Sequence, residues 1–135
     1  MAGYWLLKTE PSDYSYGDLK KNQRTIWDGV SNNLALKHLR NMKKGDLAFI
    51  YHTGKERTLV GIAEVASDPY PDPRKKDPKL AVVDVKAQLE LSRGVALKEI
   101  KSDENFSDFL LVRLPRLSVM PVTPSQWKRL LVLAG

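Results

Sequence analysis

Residues 47–66 read LAFIYHTGKERTLVGIAEVA, and this stretch contains two β-rich runs on either side of a polar turn. The runs extend from Leu47 to Tyr51 and from Thr58 to Ala66, and the turn is Thr53-Gly54-Lys55-Glu56. Such a pattern is typical of a β-hairpin. A third run, Leu80 to Leu91, alternates well enough to be a long strand. We therefore expect all three strands to share one sheet.

The residues before the hairpin predict one buried strand and two helices. Tyr4 to Thr9 is an opening strand, and Ser15 to Lys21 is a short helix that begins with a serine-aspartate capping box. From Asn32 to Met42 apolar residues recur at helical spacing, and Gly45 is the expected stop. The opening strand and the helices should pack against the hairpin.

The residues after the hairpin alternate between loop, strand and short helix. Asp68 to Pro78 contains four prolines and is predicted to be a loop. Ala96 to Lys101 and Ser107 to Leu111 are predicted helical turns, and Leu117 to Val122 is a strand whose proline favours a sheet edge. A last helix follows the cap signature Thr123-Pro-Ser-Gln126.

This order, β-α-α-β-β-β-α-β-α, predicts an α+β fold with a curved antiparallel or mixed sheet and helices packed around it. A doubly wound parallel sheet does not fit strands that meet mainly as hairpins. Strongly bent sheets often close into a small barrel whose mouth holds a ligand. With 135 residues, 42% of them apolar, we expect one domain over residues 1–135.

Composition indicates the cellular compartment and the kind of binding partner that we expect. No apolar window is long enough to span a membrane, the start lacks a signal pattern, and there is no cysteine, so we expect a cytoplasmic protein without disulfides. Twenty-two Lys and Arg against sixteen Asp and Glu give a net charge of +6, which favours polyanionic partners. The basic residues expected to contact a nucleic-acid backbone are Lys37, Arg40, Arg74, Lys75, Lys76 and Arg116, although solvated faces are the simpler explanation of the clusters.

Signatures of catalysis are absent from the sequence. The two histidines, His38 and His52, lack metal-ligand spacing, and no phosphate loop, dinucleotide fingerprint or nucleophile elbow occurs. The adjacent carboxylates Asp103 and Glu104 lie in a polar stretch that predicts a solvated loop. We therefore expect a binding protein with no metal and no cofactor.

Aromatic and polar side chains gather where the predicted strands end. They lie in Trp5, Lys8-Thr-Glu-Pro11, Trp27-Asp-Gly-Val-Ser-Asn-Asn33, Tyr51-His52 and Tyr70-Pro-Asp72. Trp27, before a helix, would expose a large surface unless it packs on core or ligand. Structural alternatives stay open: Trp5 as core, Asn32 as a helix cap, and His52 as a partner of nearby backbone.

At these residues the sequence resembles the EVE domain family, a branch of the PUA-like fold that is also similar to YTH, ASCH and SRA domains. The resemblance covers nearly the whole chain, in the blocks YWLLKTEP at 4–11, WDGVSN at 27–32, FIYH at 49–52, GIAEV at 61–65, YPD at 70–72, VDV at 83–85 and RLSVMPV at 116–122. The family usually has arginine at Ser31 and serine at Thr53. Those departures concern the ligand more than the fold.

The resemblance implies a barrel-like sheet with a pocket for a single, often modified, nucleobase. It implies that Trp27 is an aromatic wall, with Asp28 and Glu10 as edge acceptors, while Gly29 permits close approach. The remaining ligand-binding residues implied are Lys8, Asn32, Tyr51, His52, Tyr70 and Ser118. A base extruded from its strand needs such a mixture, since stacking and edge hydrogen bonds must offset the cost of unstacking.

The leading hypothesis is a non-enzymatic reader of a modified base in DNA or RNA. A second hypothesis is an enzyme acting on a nucleobase or nucleotide, in which Asp28, Glu10 or His52 does acid-base work in the same cleft. A third is a PUA-type accessory module that binds folded RNA through its basic surface.

Overall fold

A computed structural model describes residues 3–135 as a seven-stranded sheet with short helices around it. The strands are β1 (Tyr4–Thr9), β2 (Arg24–Trp27), β3 (Leu47–His52), β4 (Thr58–Val65), β5 (Tyr70–Pro71), β6 (Ala81–Ala96) and β7 (Val119–Pro121). The α-helices are α1 (Tyr16–Asn22), α2 (Asn33–Arg40), α3 (Leu97–Lys101), α4 (Leu110–Arg113) and α5 (Pro124–Leu133), with a 3-10 turn at Glu104–Phe106. Within the described chain, none of the helices has the length and apolarity needed to cross a membrane.

The sheet is mixed and curls into a half-barrel, which confirms the expected α+β fold. The strand order is β2-β6-β4-β3-β1-β7, and β5 pairs with β6. Strands β1 and β3 are parallel, with Tyr4 opposite Leu47 and Thr9 opposite His52, and the other pairs are antiparallel. Helix α2 contacts both β6 and β7, so it packs between the two ends of the curled sheet.

Most predicted elements are confirmed. The hairpin is β3–β4, and the opening strand has the predicted bounds. Helices α1 and α5 both begin with a complete capping box, in which Ser15 pairs with Asp18 and Thr123 with Gln126. Strand β7 pairs with β1 and ends at Pro121, as an edge strand containing proline should.

Strand β2 was not predicted, and it changes the setting of Trp27. The run Arg24–Trp27 has only four residues, and it follows the end of α1 after Gln23, whose φ is 66°. Trp27 is therefore the last residue of a strand rather than part of a turn, and it lies opposite Val83 of β6. The prediction failed because so short a run carries little periodicity.

Four predicted boundaries were wrong. Strand β6 extends to Ala96, beyond the predicted end at Leu91. Helix α2 ends at Arg40 rather than at Gly45. Gly45 has a φ of 97°, and its N–H donates a hydrogen bond to the Val65 carbonyl, so it forms the turn before β3. The segment Asp68–Pro78 is not entirely loop, because its residues Tyr70–Pro71 pair with β6. The helical turn expected at residues 107–111 forms later, as Leu110–Arg113.

Tyr16 fastens α1 to the sheet. Its buried ring lies against Gly61, where an added Cβ would be 2.4 Å from Tyr16 Cε1. The Tyr16 hydroxyl donates to the Ile62 carbonyl at 2.8 Å, and its amide donates to His52 Nε2 at 2.9 Å. This close approach requires glycine at position 61.

Tyr70 ties the proline-rich segment to β6. Its hydroxyl donates to Asp84, and Arg24 Nη2 lies 2.7 Å from the other carboxylate oxygen. Burial and the Asp84 bond raise the pKa of Tyr70 to about 12. The Tyr70 hydroxyl, followed by Arg24, lowers the pKa of Asp84. Tyr70 thereby anchors the segment that continues to Arg74.

We expect Gly61→Ala to destabilise the fold by about 1–3 kcal/mol, because the methyl group would overlap the Tyr16 ring. Gly17→Ala is the matched control, since the nearest side-chain atom there is 3.4 Å from the added Cβ and alanine favours helix. The free energy of unfolding, measured with urea, checks both variants. Equal stability of the two would contradict the close packing of Tyr16 on Gly61.

We expect Asp84→Asn to lower the free energy of unfolding at neutral pH by about 1–3 kcal/mol, since the charged acceptor of two hydrogen-bonding partners is removed. The folded-state pKa of Asp84 is depressed. Its contribution is therefore fully present above the unfolded value of about 3.9 and disappears as pH falls through the folded pKa. Thermal melts at a series of pH values should show the wild-type advantage shrinking below about pH 4. Asp13→Asn, at an exposed aspartate, should show no such difference.

Candidate functional site

A cavity of about 420 Å³ lies where β1 and β2 end. This volume is within the range of about 300–1,000 Å³ typical of small-molecule sites. Its lining combines apolar, hydroxyl and charged side chains: Lys8, Thr9, Tyr14, Thr25, Ile26, Trp27, Asp28, Gly29, Val30, Arg74 and Ser118. A ligand there meets both flat apolar surfaces and hydrogen-bonding groups.

Two aromatic rings form one corner of the cavity. The rings of Trp27 and Tyr14 are 6.4 Å apart at 83°, an edge-to-face arrangement. Tyr14 is held by Asn22, whose amide donates to its hydroxyl at 3.0 Å, and by Thr9, whose hydroxyl donates to its carbonyl at 2.6 Å. Hydrogen bonds within the protein therefore hold this corner in place.

Trp27 belongs to both the core and the cavity. Only 7% of its surface is exposed, and it packs within the main hydrophobic cluster. It also lines the cavity, so the two alternatives weighed from the sequence are not exclusive. Removing its side chain would remove core packing as well as a cavity wall.

The mouth of the cavity carries opposite charges. Arg74 Nη1 lies 3.7 Å from Asp28 Oδ2, and both side chains are well exposed. Gly29, with φ of 80°, follows Asp28 and turns the chain toward α2. An exposed ion pair of this kind contributes little to stability, so both groups can rearrange toward a ligand.

Lys8 enters the site from β1, next to the β7 edge of the sheet. Burial lowers the pKa of its ammonium group, which donates to the Pro115 carbonyl at 2.8 Å and lies 5.6 Å from the centre of the Tyr51 ring. The Lys8 amide donates to the Ser118 carbonyl at 3.0 Å, which brings Ser118 to the same edge. Hydrogen bonds thus fix one cation at the boundary of the cavity.

The structure brings together six of the predicted residues and adds five that sequence reasoning missed. The predicted ones are Lys8, Trp27, Asp28, Gly29, Arg74 and Ser118, and the additional ones are Thr9, Tyr14, Thr25, Ile26 and Val30. The β-branched and aromatic run TIW at 25–27 was the available signal for β2. Tyr14 carried no comparable signal, because it lies between elements.

Glu10 and His52 lie away from this cavity, contrary to the grouping predicted from the sequence. The Glu10 carboxylate accepts from the Ser12 and Thr53 hydroxyls beside a different surface depression. His52 is buried, and because Nε2 accepts from the Tyr16 amide, Nδ1 carries the proton and donates to Glu56 at 2.8 Å. His52 is therefore a partner of nearby backbone, which was its structural alternative.

Three other predicted ligand residues have identifiable structural contacts outside the cavity. Asn32 caps α2 by accepting from the Ala35 amide at 3.0 Å. Tyr51 is buried beneath Lys8, and Tyr70 is bonded to Asp84.

The predicted backbone-contacting cations lie on the surface. Lys37, Arg40, Lys75, Lys76 and Arg116 are all exposed. Arg40 donates to the Lys79 carbonyl, so the basic residues of α2 adjoin the basic residues of the proline-rich loop. Arg116 lines a separate groove beside Asn32. Arg74 alone of the predicted set reaches the cavity.

Comparison with known sequences identifies a family and relatives over nearly all of the chain. The sequence profile of the EVE domain matches residues 3–133. Thymocyte nuclear protein 1 of Gallus gallus is 34% identical, over 92% of this chain and 65% of the chicken protein. The chain thus spans just under two thirds of that relative.

Solved structures agree with the fold. A protein of Rhodopseudomonas palustris is 38% identical, with a TM-score of 0.94 over 99% of this chain and 94% of that one. Human THYN1, in a crystal structure with DNA containing 5-methylcytosine, is 31% identical, with a TM-score of 0.91 over 98% of each chain. An ASCH protein of Zymomonas mobilis, 10% identical with a TM-score of 0.61 over 97% of this chain and 95% of that one, shares the fold alone.

Proposed function

We propose, from the premise that this chain belongs to the EVE domain family, that it is a non-enzymatic module that binds DNA and reads a modified base. The base would enter the cavity beside Trp27. The human relative crystallised with 5-methylcytosine DNA supports the choice of DNA and of a modified pyrimidine. The corner of Trp27 and Tyr14 beside the Asp28 carboxylate is the observation that carries the proposal.

The cavity has the chemistry that an extruded pyrimidine needs. The base stacks on the Trp27 ring, and Tyr14 closes the perpendicular side. Asp28 accepts from the exocyclic amine, the contact that carboxylates make with cytosine. Lys8 and Ser118 face the remaining polar edge. A 5-methyl group adds apolar contact, which favours the modified base over the unmodified one.

The positions of the acid-base candidates argue against an enzyme. Of the three groups that catalysis would use, Asp28 lines the cavity, whereas Glu10 lies elsewhere and both nitrogens of His52 are hydrogen-bonded. A lone exposed carboxylate paired with Arg74 is suited to recognition. Binding therefore explains the site better than turnover does.

We expect Asp28→Ala to weaken binding of a duplex with one 5-methylcytosine by about 1–3 kcal/mol, the usual value of a base-specific polar contact. Binding of the same duplex without the modification should change less, because nonspecific contacts do not use the cavity. Fluorescence anisotropy with both duplexes, and with an RNA of the same sequence, measures the effect. Tighter binding of the RNA would favour the RNA-module hypothesis.

Trp27→Phe tests stacking without emptying the core. Trp27→Ala would cost about 3–5 kcal/mol of stability, because the ring is buried, so it confounds folding with binding. The phenylalanine variant keeps an aromatic wall of smaller area, and the preference for the methylated duplex should fall while the melting temperature drops only modestly. An unchanged preference for the methylated duplex in a folded Trp27→Phe protein would show that the Trp27 ring does not contact the base.

We expect replacement of Lys75 and Lys76 together by glutamate to weaken binding of methylated and unmethylated duplexes by the same factor, because phosphate contacts carry no base information. The log-log dependence of affinity on salt should flatten by roughly 0.9 for each phosphate that the protein no longer neutralises. Titrations at several salt concentrations measure both effects. Affinity equal to wild type at low salt would show that the loop does not touch DNA.

A further inference from the structure

A second cleft, of about 320 Å³, adjoins the cavity at Lys8, which lines both. Arg57 and Lys101 also line this cleft, and no acidic side chain does so among the lining residues that the structure describes. Lys101 is the last residue of α3, and Arg57 precedes β4. Three cations from separate elements thus converge on one depression.

The Tyr51 hydroxyl is the second feature of this cleft. Only 3% of the Tyr51 residue is exposed, yet it lines the cleft, and its hydroxyl has no hydrogen-bond partner among the residues that the structure describes. Burial raises the pKa of Tyr51, and the nearby charge of Arg57 opposes that shift. Among the described residues no buried side-chain polar atom lacks a hydrogen bond, so the Tyr51 hydroxyl, which has no partner, reaches the surface of the cleft and is available to a ligand.

The cations around the hydroxyl are held in place. Arg57 Nε donates to the Gly54 carbonyl at 3.3 Å, and the Arg57 carbonyl accepts from the Leu97 amide at 2.8 Å. The Lys8 ammonium is fixed on Pro115. Arg57 retains most of its five N–H donors for an anion. An anion with several oxygens satisfies these groups better than a single carboxylate does.

We propose that this cleft binds backbone phosphates of the DNA strand whose base occupies the cavity beside Trp27. The Tyr51 hydroxyl and Arg57 would donate to one phosphate, and Lys101 would neutralise the next. The assignment rests on the proposed function, because the cleft adjoins the base cavity at Lys8. The cleft adds a second phosphate-binding surface to the basic loop at residues 74–76 that the charge pattern indicated.

Tyr51→Phe is the sharpest test, since it removes one hydroxyl that makes no protein bond and keeps the buried ring. We expect the melting temperature to be unchanged and the affinity for DNA to fall about ten- to a hundredfold, the value of a hydrogen bond to a charged group. Arg57→Gln and Lys101→Gln should each lower the affinity for DNA about tenfold and flatten the log-log dependence of affinity on salt by roughly 0.9. Lys128→Gln, an exposed lysine on α5 that does not line the cleft, is the charge-matched control.

Each variant is titrated with methylated and unmethylated duplexes, and with inorganic phosphate as competitor against chloride of equal ionic strength. Equal losses of affinity for both duplexes, with the methyl preference retained, are the expected result. DNA affinities within twofold of the Lys128→Gln control would overturn the proposal that the cleft binds DNA phosphates. The same holds if the variants abolish binding of inorganic phosphate but leave the affinity for DNA unchanged. If the wild type shows no preference for methylated DNA, the proposed recognition of a modified base is wrong. The affinities of the variants for unmodified DNA still test phosphate binding in the cleft.

Discussion

The parallel pairing of β1 with β3 is the constraint on which the rest of the structure depends. Parallel neighbours cannot be joined by a tight turn, so residues 10–46 must cross from one end of the pair to the other. That connection holds α1, β2 and α2. It carries β2 to the far edge of the sheet, against β6, and leaves α2 between the sheet's two ends. The cavity exists because this route brings the end of β2 back beside the end of β1.

Lys8 is the residue at which the fold and the proposed function meet. As part of a strand paired on both sides, its backbone has little freedom, and its ammonium group is fixed over Tyr51 by the Pro115 carbonyl. It therefore separates two surfaces of different character. The cavity on one side combines an aromatic corner with a carboxylate, which suits selection of a base, and the cleft on the other is cationic, which suits affinity for phosphates.

Burial separates the structural from the functional use of similar residues. His52 is buried with both ring nitrogens hydrogen-bonded, so its capacity to bond is already occupied. Tyr51 is as deeply buried as His52, but its hydroxyl has no partner within the described chain. A hydroxyl that opens into a cleft without a protein partner, on a ring that burial holds in place, is the stronger indicator of a ligand.

The sequence by itself determined the local features of this protein. Capping boxes, the β3–β4 hairpin, the opening strand and the aromatic block around Trp27 follow from interactions only a few residues apart, and such interactions can be inferred from spacing. Tertiary structure alone decided what pairs across long separations. The Tyr16 ring over Gly61, Lys8 beside Tyr51, and Tyr14 perpendicular to Trp27 depend on the path of the crossover between parallel strands. The short strand β2 forms because β6 offers it a partner, and no local pattern of four residues specifies that partner.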